Sequence, residues 1–243
     1  MPNSILILGA SGGLGSAIAR RLSGPDAILL LHGRREQRLR SLAAEIGMGA
    51  EVVTADLTSR DQVAQLFRQI EKSHARLDGI VFSIATSFPN RLAHRTPWEV
   101  FEQQINDQLK ALHLVASESF RLVSDGVRTS RFVVISTEAV LGIPPVKMAP
   151  YVAAKAAMTT YAEVIAQEWL SRNVRVHIVA PGMVKTDLLA DRPDEYLETV
   201  AAQMPEKRLT SADDVAQFVN FLFTDAADPL YGRPLQISRA IRR

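Results

Sequence analysis

Short apolar runs alternate with longer amphipathic stretches along almost the whole chain. The short runs are typical of buried strands, and the stretches between them repeat apolar residues at helical spacing. Strands that alternate with helices predict one domain over residues 1–243, an α/β fold with a doubly wound parallel sheet and helices on both faces. We predict about seven strands, at residues 4–8, 27–31, 51–54, 78–83, 131–136, 174–180 and 234–237.

Two of the amphipathic stretches are long. The first, residues 97–124, predicts one continuous helix with Thr96 as N-cap and Pro97 in the first turn. The second begins at Tyr151 and extends to about residue 171. Shorter helices are predicted at 36–46 and 213–223, whereas residues 188–205 are acidic and have no strand pattern.

Composition narrows the class of protein. Of 243 residues, 47% are hydrophobic, but no apolar run approaches the ~18 residues of a membrane span. The first residues lack the pattern of a signal peptide, so we expect a cytoplasmic protein without a membrane partner. A net charge of +2 does not favour nucleic acid. The absence of Cys excludes disulfides and thiolate metal sites, and we expect no metal.

A glycine-rich turn follows the first strand and leads into a helix. Free backbone N–H groups at such a helix N-terminus can bind a pyrophosphate, and glycines allow its close approach. The spacing Gly-x-x-x-Gly-x-Gly differs from the Gly-x-Gly-x-x-Gly fingerprint of dinucleotide sites. The candidate cofactor-binding residues of this turn are Gly9, Ser11, Gly12, Gly13, Leu14 and Gly15.

The end of the second strand indicates which dinucleotide would bind. An acid at this position would accept hydrogen bonds from the adenosine ribose, but this chain has Gly33 followed by Arg34 and Arg35. These cations favour a 2′-phosphate and therefore NADP over NAD, unless they only begin the next helix and face water. After the third strand, Asp56 could accept a bond from adenine, cap the helix that begins near Ser59, or do both.

Tyr151 and Lys155 are a candidate acid/base pair. Residues four apart lie on the same face of a helix, so the phenol and the ammonium can converge. A neighbouring cation would lower the pKa of the phenol, although such pairs also occur on ordinary helix surfaces. Two further hydroxyls, those of Ser136 and Thr137, follow the fifth strand, where α/β proteins collect ligands.

Taken together and in order, these motifs resemble the short-chain dehydrogenase/reductase family over nearly the whole chain. The similarity is greatest to the ketoreductase-like members such as the 3-oxoacyl-carrier-protein reductases. It implies a single Rossmann-like domain with a substrate lid at about residues 186–210. The motifs that carry it are Gly9-x-x-x-Gly13-x-Gly15, Ala55-Asp56-Leu57, Ile135-Ser136-Thr137, Tyr151-x-x-x-Lys155, and Pro181-Gly182 with Thr186.

The resemblance implies a role for each matching residue. Tyr151 would give a proton to the carbonyl oxygen, and Lys155 would stabilise the phenolate and bind the nicotinamide ribose. Thr137 would hold the carbonyl oxygen, with Ser136 in reserve. Further cofactor contacts are expected from Leu57, Ser83, Ile84, Ala85, Pro181, Gly182, Val184 and Thr186, in addition to Tyr151 and Lys155.

The chain departs from the family pattern in three places. Phe82-Ser83-Ile84-Ala85 stands where members commonly have Asn-Asn-Ala-Gly, so two bracing amides are missing. In the helix that follows, Gln108 takes the place of the Asn of the proton relay, with Asn106 as the alternative. The end, Ser238-Arg-Ala-Ile-Arg-Arg, lacks the frequent Asp-Gly-Gly.

We therefore expect an NADP(H)-dependent oxidoreductase that interconverts a ketone and a secondary alcohol. The ketone could be the 3-oxo group of a carrier-bound acyl chain. The alternative is a catalytically weak or silent nucleotide-binding sensor or scaffold. Enoyl reduction is disfavoured because enoyl reductases of similar fold usually space Tyr and Lys more widely. The family implies a homodimer or homotetramer. An apolar substrate pocket could include Phe82, Phe88, Leu141, Met148, Met183 and Leu188, although these also suit core or loop positions.

Overall fold

The computed structural model describes residues 3–124, 126–189 and 193–238. Seven strands form one sheet in the order β3-β2-β1-β4-β5-β6-β7, and every neighbouring pair is parallel. This confirms the predicted fold class. The strands are β1 (Asn3–Leu8), β2 (Ala27–His32), β3 (Ala50–Val53), β4 (Gly79–Phe82), β5 (Ser130–Ile135), β6 (Val174–Pro181) and β7 (Pro234–Ile237).

Helices connect the strands and cover both faces of the sheet. In the described ranges they are α1 (Gly13–Leu22), α2 (Glu36–Ile46), α3 (Arg60–Ser73), α4 (Trp98–Ile105), α5 (Ala111–Val123), α6 (Ala149–Trp169), α7 (Asp194–Gln203) and α8 (Ala212–Leu222). None of them is long and apolar enough to cross a membrane.

The central strand β1 divides the core in two. Leu6 and Leu8 point into a cluster with the apolar faces of α3, α5 and α6. Ile5 and Ile7 point the other way, into a cluster with α1, α2 and α8. Alternate residues of a strand face opposite sides, so an uninterrupted apolar run is what a strand covered on both faces requires.

The strand order places a crevice beside β1. The chain runs from β1 outward to β2 and β3, and then returns to β4 on the other side of β1. Ligands of open parallel sheets bind where the order reverses, outside the carboxyl ends of the strands. Here those ends lead into the glycine turn after Leu8 and the segment after Phe82.

The predicted continuous helix over residues 97–124 is interrupted. One π-helical segment, Asn106–Lys110, separates α4 from α5. Such segments occur mostly as single turns inside α-helices and are frequent at functional sites. The N-cap prediction was also wrong, because Pro97 is the N-cap and the Thr96 hydroxyl donates to the carbonyl oxygen of Leu92 instead.

The region predicted as a lid contains helix α7, which the sequence pattern did not predict. Its N-cap is Pro193, and Leu197 is its one buried residue. Residues 190–192 of the predicted lid, like residues 239–243 of the unusual C-terminus, lie outside the described residues. The lid role stays a prediction.

Candidate active site

Close backbone contacts shape the glycine turn. The N–H of Gly12 donates to the carbonyl oxygen of Gly9 at 3.0 Å. Gly9 has a φ of 91°, and a Cβ there would overlap the carbonyl oxygen of Ser83. A Cβ at Gly15 would overlap the carbonyl oxygen of Gly9. The turn therefore requires glycine at positions 9 and 15 for packing, which keeps α1 close to the ends of β1 and β4.

The N-terminus of α1 fits an anionic ligand. Its N-cap is Gly12, no side chain caps it, and its first turn contains no acid. The first-turn amides of a helix have no partner within the helix, and they carry the positive end of its dipole. Beside them lies a cleft of about 460 Å³, lined by Ala10, Ser11, Gly12, Gly13, Ser16, Arg20, Gln37, Arg38, Ser41, Leu42 and Glu45. These residues fit the pyrophosphate of a dinucleotide.

The end of β2 lies against the same turn. A Cβ at Gly33 would lie 3.0 Å from the Cβ of Ser11 and overlap its hydroxyl. The Arg35 guanidinium donates to the carbonyl oxygen of Ser11 at 2.7 Å. Arg40 instead pairs with Glu36 on the exposed face of α2. Arg35 is therefore tied to the glycine turn, whereas Arg40 is not.

Asp56 does not cap helix α3, so that alternative was wrong. Ser59 is the N-cap and accepts from the N–H of Gln62. The Asp56 carboxylate accepts from both the N–H and the hydroxyl of Thr58, and these bonds lower its pKa, with smaller contributions from the charges of Arg34 and Lys110. Asp56 is exposed near Arg34, whereas the Leu57 side chain lies in the core.

Lys155 is buried and held by backbone. Its ammonium donates to the carbonyl oxygens of Ile135 at 2.8 Å and Ile84 at 3.2 Å. Nζ lies 6.0 Å from the centroid of the Tyr151 ring. Burial lowers the pKa of Lys155 to about 7. The shared helix face was predicted correctly, but the ammonium is directed at two strand ends.

Tyr151 is 7% exposed and lies beside Thr137. Burial raises the pKa of the phenol to about 12, and the interaction with the Thr137 hydroxyl acts in the opposite direction. The prediction that Lys155 lowers the pKa of the phenol is therefore wrong. The loss of water around the phenol outweighs the other effects on this pKa.

The two hydroxyls after β5 have different partners. Ser136 is buried and bonded to the hydroxyl of Thr159 at 2.5 Å, and Thr159 in turn donates to the carbonyl oxygen of Lys155. Thr137 lies at the phenol and also accepts from the N–H of Ala139 at 3.3 Å. The structure thus brings Thr137 and Tyr151 together and places Ser136 behind them.

Gln108 lies in the π-helical segment and is completely buried. Its amide nitrogen donates to the side-chain oxygen of Gln104 at 2.7 Å. Its own side-chain oxygen has no partner in the described parts of the chain. Asn106 is half-buried. The relay role of either residue stays a prediction.

Gln104 and Asp107 brace the segment after β4, and the sequence pattern did not identify either. Gln104 donates to the carbonyl oxygens of Ser87 at 3.1 Å and Thr86 at 3.4 Å. The Thr86 hydroxyl donates to the Asp107 carboxylate at 2.8 Å. Side chains of the next helix thus support this segment, in which the two bracing Asn residues expected from the resemblance are missing.

An apolar wall covers Tyr151. The Phe88 ring stacks on the phenol ring with 4.7 Å between centroids and 22° between planes. Met148 and Leu188 pack in the same cluster. Phe82, in contrast, is a core residue. Part of the predicted apolar pocket is therefore assembled at the phenol.

The loop after β6 returns to the glycine turn. The N–H of Gly182, next to Pro181, donates to the carbonyl oxygen of Ile237, and Val184 bridges to Thr210. A Cβ at Gly13 would lie 3.2 Å from the Thr186 methyl group. The loop and the turn thus form two sides of one cleft. Of the other predicted cofactor contacts, Leu14 is half-buried and Ala85 is exposed.

Comparison with known proteins identifies the family. A family model described as enoyl-(acyl carrier protein) reductase matches residues 9–238. The nodulation protein G of Rhizobium sp. (strain N33) is 30% identical over 236 residues, which are 96% of this chain and 94% of that protein. The chain belongs to the short-chain dehydrogenase/reductase family.

Other proteins are similar to this chain over most of their length. The 3-oxoacyl-[acyl-carrier-protein] reductase of Rickettsia bellii is 30% identical over 234 residues, with 96% of this chain and 94% of that protein covered. The Pseudomonas aeruginosa RhlG/NADP active-site complex has the same fold, with a TM-score of 0.89 at 20% identity. That comparison covers 97% of this short-chain dehydrogenase/reductase chain and 94% of the other.

Gln104→Leu tests the bracing of the segment after β4. The change removes the bonds to Ser87 and Thr86 and leaves the amide nitrogen of Gln108 buried without a partner. We expect the free energy of unfolding to fall by about 2 kcal/mol, measured by urea denaturation. The exposed neighbour Gln103→Leu is the control and should change it by less than about 0.5 kcal/mol. Equal effects of the two changes would contradict the bracing role.

The buried Lys155 predicts a pH dependence of stability. Its pKa is about 7 in the folded chain, against the ordinary value of 10.5 for a lysine in water, so between these values the unfolded chain binds more protons. This residue therefore destabilises the fold most below about pH 7 and progressively less as the pH rises. Relative to Lys155→Met, wild type should gain up to about 1.4 kcal/mol per pH unit from pH 7 to 10. Urea denaturation at several pH values measures this difference, and parallel pH curves would refute it.

Proposed function

We propose that the chain is an NADP(H)-dependent oxidoreductase that interconverts a ketone and a secondary alcohol. The observation that carries this proposal is the buried Tyr151 phenol beside Thr137, one helical turn from Lys155, whose ammonium is held by the backbone after β4 and at the end of β5. The name of the Rickettsia bellii relative, a 3-oxoacyl-[acyl-carrier-protein] reductase, supports a carbonyl substrate. The complex of the Pseudomonas aeruginosa structure supports NADP.

In this mechanism Tyr151 and Thr137 act on the carbonyl oxygen. A nicotinamide cofactor held in the cleft would supply the hydride for the carbonyl carbon. A phenol whose pKa is raised to about 12 stays protonated at neutral pH, so Tyr151 enters the reaction as a hydrogen-bond and proton donor. Thr137 can donate a second hydrogen bond to the same oxygen and hold it in place.

In this proposal Lys155 stabilises the charge that forms on Tyr151, and a proton relay returns a proton to the site. Its ammonium lies close enough to stabilise a phenolate after proton transfer, because the desolvated interior strengthens electrostatic interactions. Its bonds to Ile84 and Ile135 fix it at the carboxyl ends of β4 and β5. The buried side-chain oxygen of Gln108 is the acceptor through which we propose that a proton relay continues.

The cofactor preference rests on the end of β2. Gly33 leaves no carboxylate to repel a 2′-phosphate, and its contact with Ser11 allows no larger residue without a shift. Arg34 lies where its charge acts on Asp56, and Arg35 is bonded to the glycine turn. Two guanidinium groups beside the end of β2 favour NADPH over NADH.

Two other functions compete with this one. The description of the matching family model favours enoyl reduction, but the four-residue spacing of Tyr151 and Lys155 favours a carbonyl substrate. A silent nucleotide-binding sensor is motivated by the missing Asn residues after β4. The bracing by Gln104 and the assembly of Thr137 at the phenol weigh against it.

Tyr151→Phe tests the proton donor. We expect ketone-dependent NADPH oxidation to fall by at least about 100-fold, because the phenyl ring cannot donate a proton. The affinity for NADPH, measured by fluorescence titration, should stay within about threefold, since the ring still packs on Phe88.

The control is Tyr161→Phe, on the same helix, whose hydroxyl bonds to His113 on the exposed side. It should leave the rate of ketone reduction unchanged. Full activity of Tyr151→Phe on a ketone would show that the mechanism is wrong. Reduction of a 2-enoyl thioester, with no reduction of the 3-oxoacyl thioester, would favour the enoyl alternative.

Arg34→Ala tests the cofactor preference. In wild type, NADPH should bind more tightly than NADH, and the substitution should weaken NADPH binding by about tenfold while NADH changes little. Arg40→Ala is the matched control, because Arg40 pairs with Glu36. Both affinities can be measured by calorimetry. Equal affinity of wild type for the two cofactors would contradict the role of the arginines.

A further inference from the structure

A second pocket lies beside the apolar wall of the site. Its volume is about 470 Å³. Three of its lining side chains are cations, and its wall combines the segment after β4 with the loop that precedes α6. The lining residues are Asn90, Arg91, Leu92, Arg95 and Lys147.

This pocket is close to the candidate reaction centre. Phe88 and Met148 pack in the cluster that contains Tyr151, and Phe88 stacks on the phenol itself. Asn90 follows Phe88 by two residues, and Lys147 directly precedes Met148. Two residues of chain span at most about 7 Å. A ligand that packs against the apolar wall therefore lies only a short distance from the cations of the pocket.

The positive charge of the pocket is uncompensated in the described part of the chain. Arg91, Arg95 and Lys147 are exposed, and none of them forms an ion pair there. Residues 85–97 and 139–152 contain no Asp or Glu. Three like charges around one pocket repel each other, and an anion between them removes this repulsion.

The loop that contributes Lys147 to the pocket also exposes apolar side chains. Ile143 is 98% exposed and Val146 is 80% exposed, in the same loop as Lys147. Exposed large aliphatic side chains beside cations provide a surface for a molecule with an apolar chain and a charged end.

We propose that this basic pocket binds an oxyanion carried on the tail of the ketone substrate. The carbonyl lies at Tyr151, the chain of the substrate crosses the wall at Phe88 and Met148, and the charged end reaches Arg91, Arg95 and Lys147. A carboxylate and a phosphate ester share the required chemistry, since both accept several charge-assisted hydrogen bonds. The inference rests on the proposed ketone reduction and adds the class of substrate to it.

The test uses a series of methyl ketones whose unbranched tails end in a carboxylate, a phosphate monoester or an uncharged methyl ester. With NADPH, wild type should reduce an anionic member with a kcat/KM at least about tenfold above that of the ester of equal length. The gain should shrink at high ionic strength, because the pocket is open to solvent. Preference for the carboxylate or for the phosphate distinguishes the two sources of the oxyanion.

Removal of the cations should abolish this preference selectively. Lys147 has a φ of 64°, which Asn tolerates, so Lys147→Asn removes the charge with little backbone cost. Combined with Arg95→Gln, it should raise the KM for the anionic ketone by about tenfold or more and leave the ester unchanged. Arg68→Gln, an exposed arginine on α3, is the control and should change neither.

The outcomes separate this inference from the proposed function. If wild type reduces the ester and the anionic ketones equally well, or if the double variant impairs both alike, the pocket does not recognise an oxyanion. If no ketone is reduced, the proposed function fails, and calorimetry with 4-oxopentanoate on the NADPH-saturated protein tests the pocket separately. Binding that the double variant loses supports the pocket, and equal or absent binding overturns it.

Discussion

A buried ammonium held by the backbone of two strand ends is the interaction on which the site depends. A charge in the interior is tolerated only when its hydrogen bonds are made, so Lys155 ties the carbonyl oxygens of Ile84 and Ile135 to helix α6. That helix also carries Tyr151. The segment after β4 is therefore fixed by Lys155 at one end and by Gln104 near the other. The stacking of Phe88 on the phenol follows from both attachments.

The pattern of apolar residues was sufficient to predict the architecture, because strands that are covered on both faces appear in the sequence as continuous apolar runs. The predicted bounds of α2 and β7 agree with the structure, and those of the other strands differ by one residue at one or both ends. Helix α7 was missed for a physical reason. It has no Ser, Thr, Asp or Asn at its N-cap and buries only Leu197, so neither a capping signal nor an apolar stripe marks it.

The site was predictable where chemistry requires a particular side chain at a particular spacing. Thr137 and Tyr151 were paired by the order of motifs, and the structure brings them together. Gln104 could not be found in this way, because the bonds by which it braces the segment go to backbone carbonyls, which every residue carries. Helical spacing likewise indicated that Lys155 and Tyr151 share a face. It could not indicate that burial, rather than the cation, would dominate the pKa of the phenol.

The contact between Gly33 and Ser11 also restricts how this chain can evolve. Any side chain at position 33 would collide with the Ser11 hydroxyl, and Ser11 belongs to the turn whose carbonyl oxygen is held by Arg35. A side chain at position 33 therefore displaces at least the Ser11 hydroxyl, so the residue that ends the second strand and the shape of the glycine turn are physically coupled.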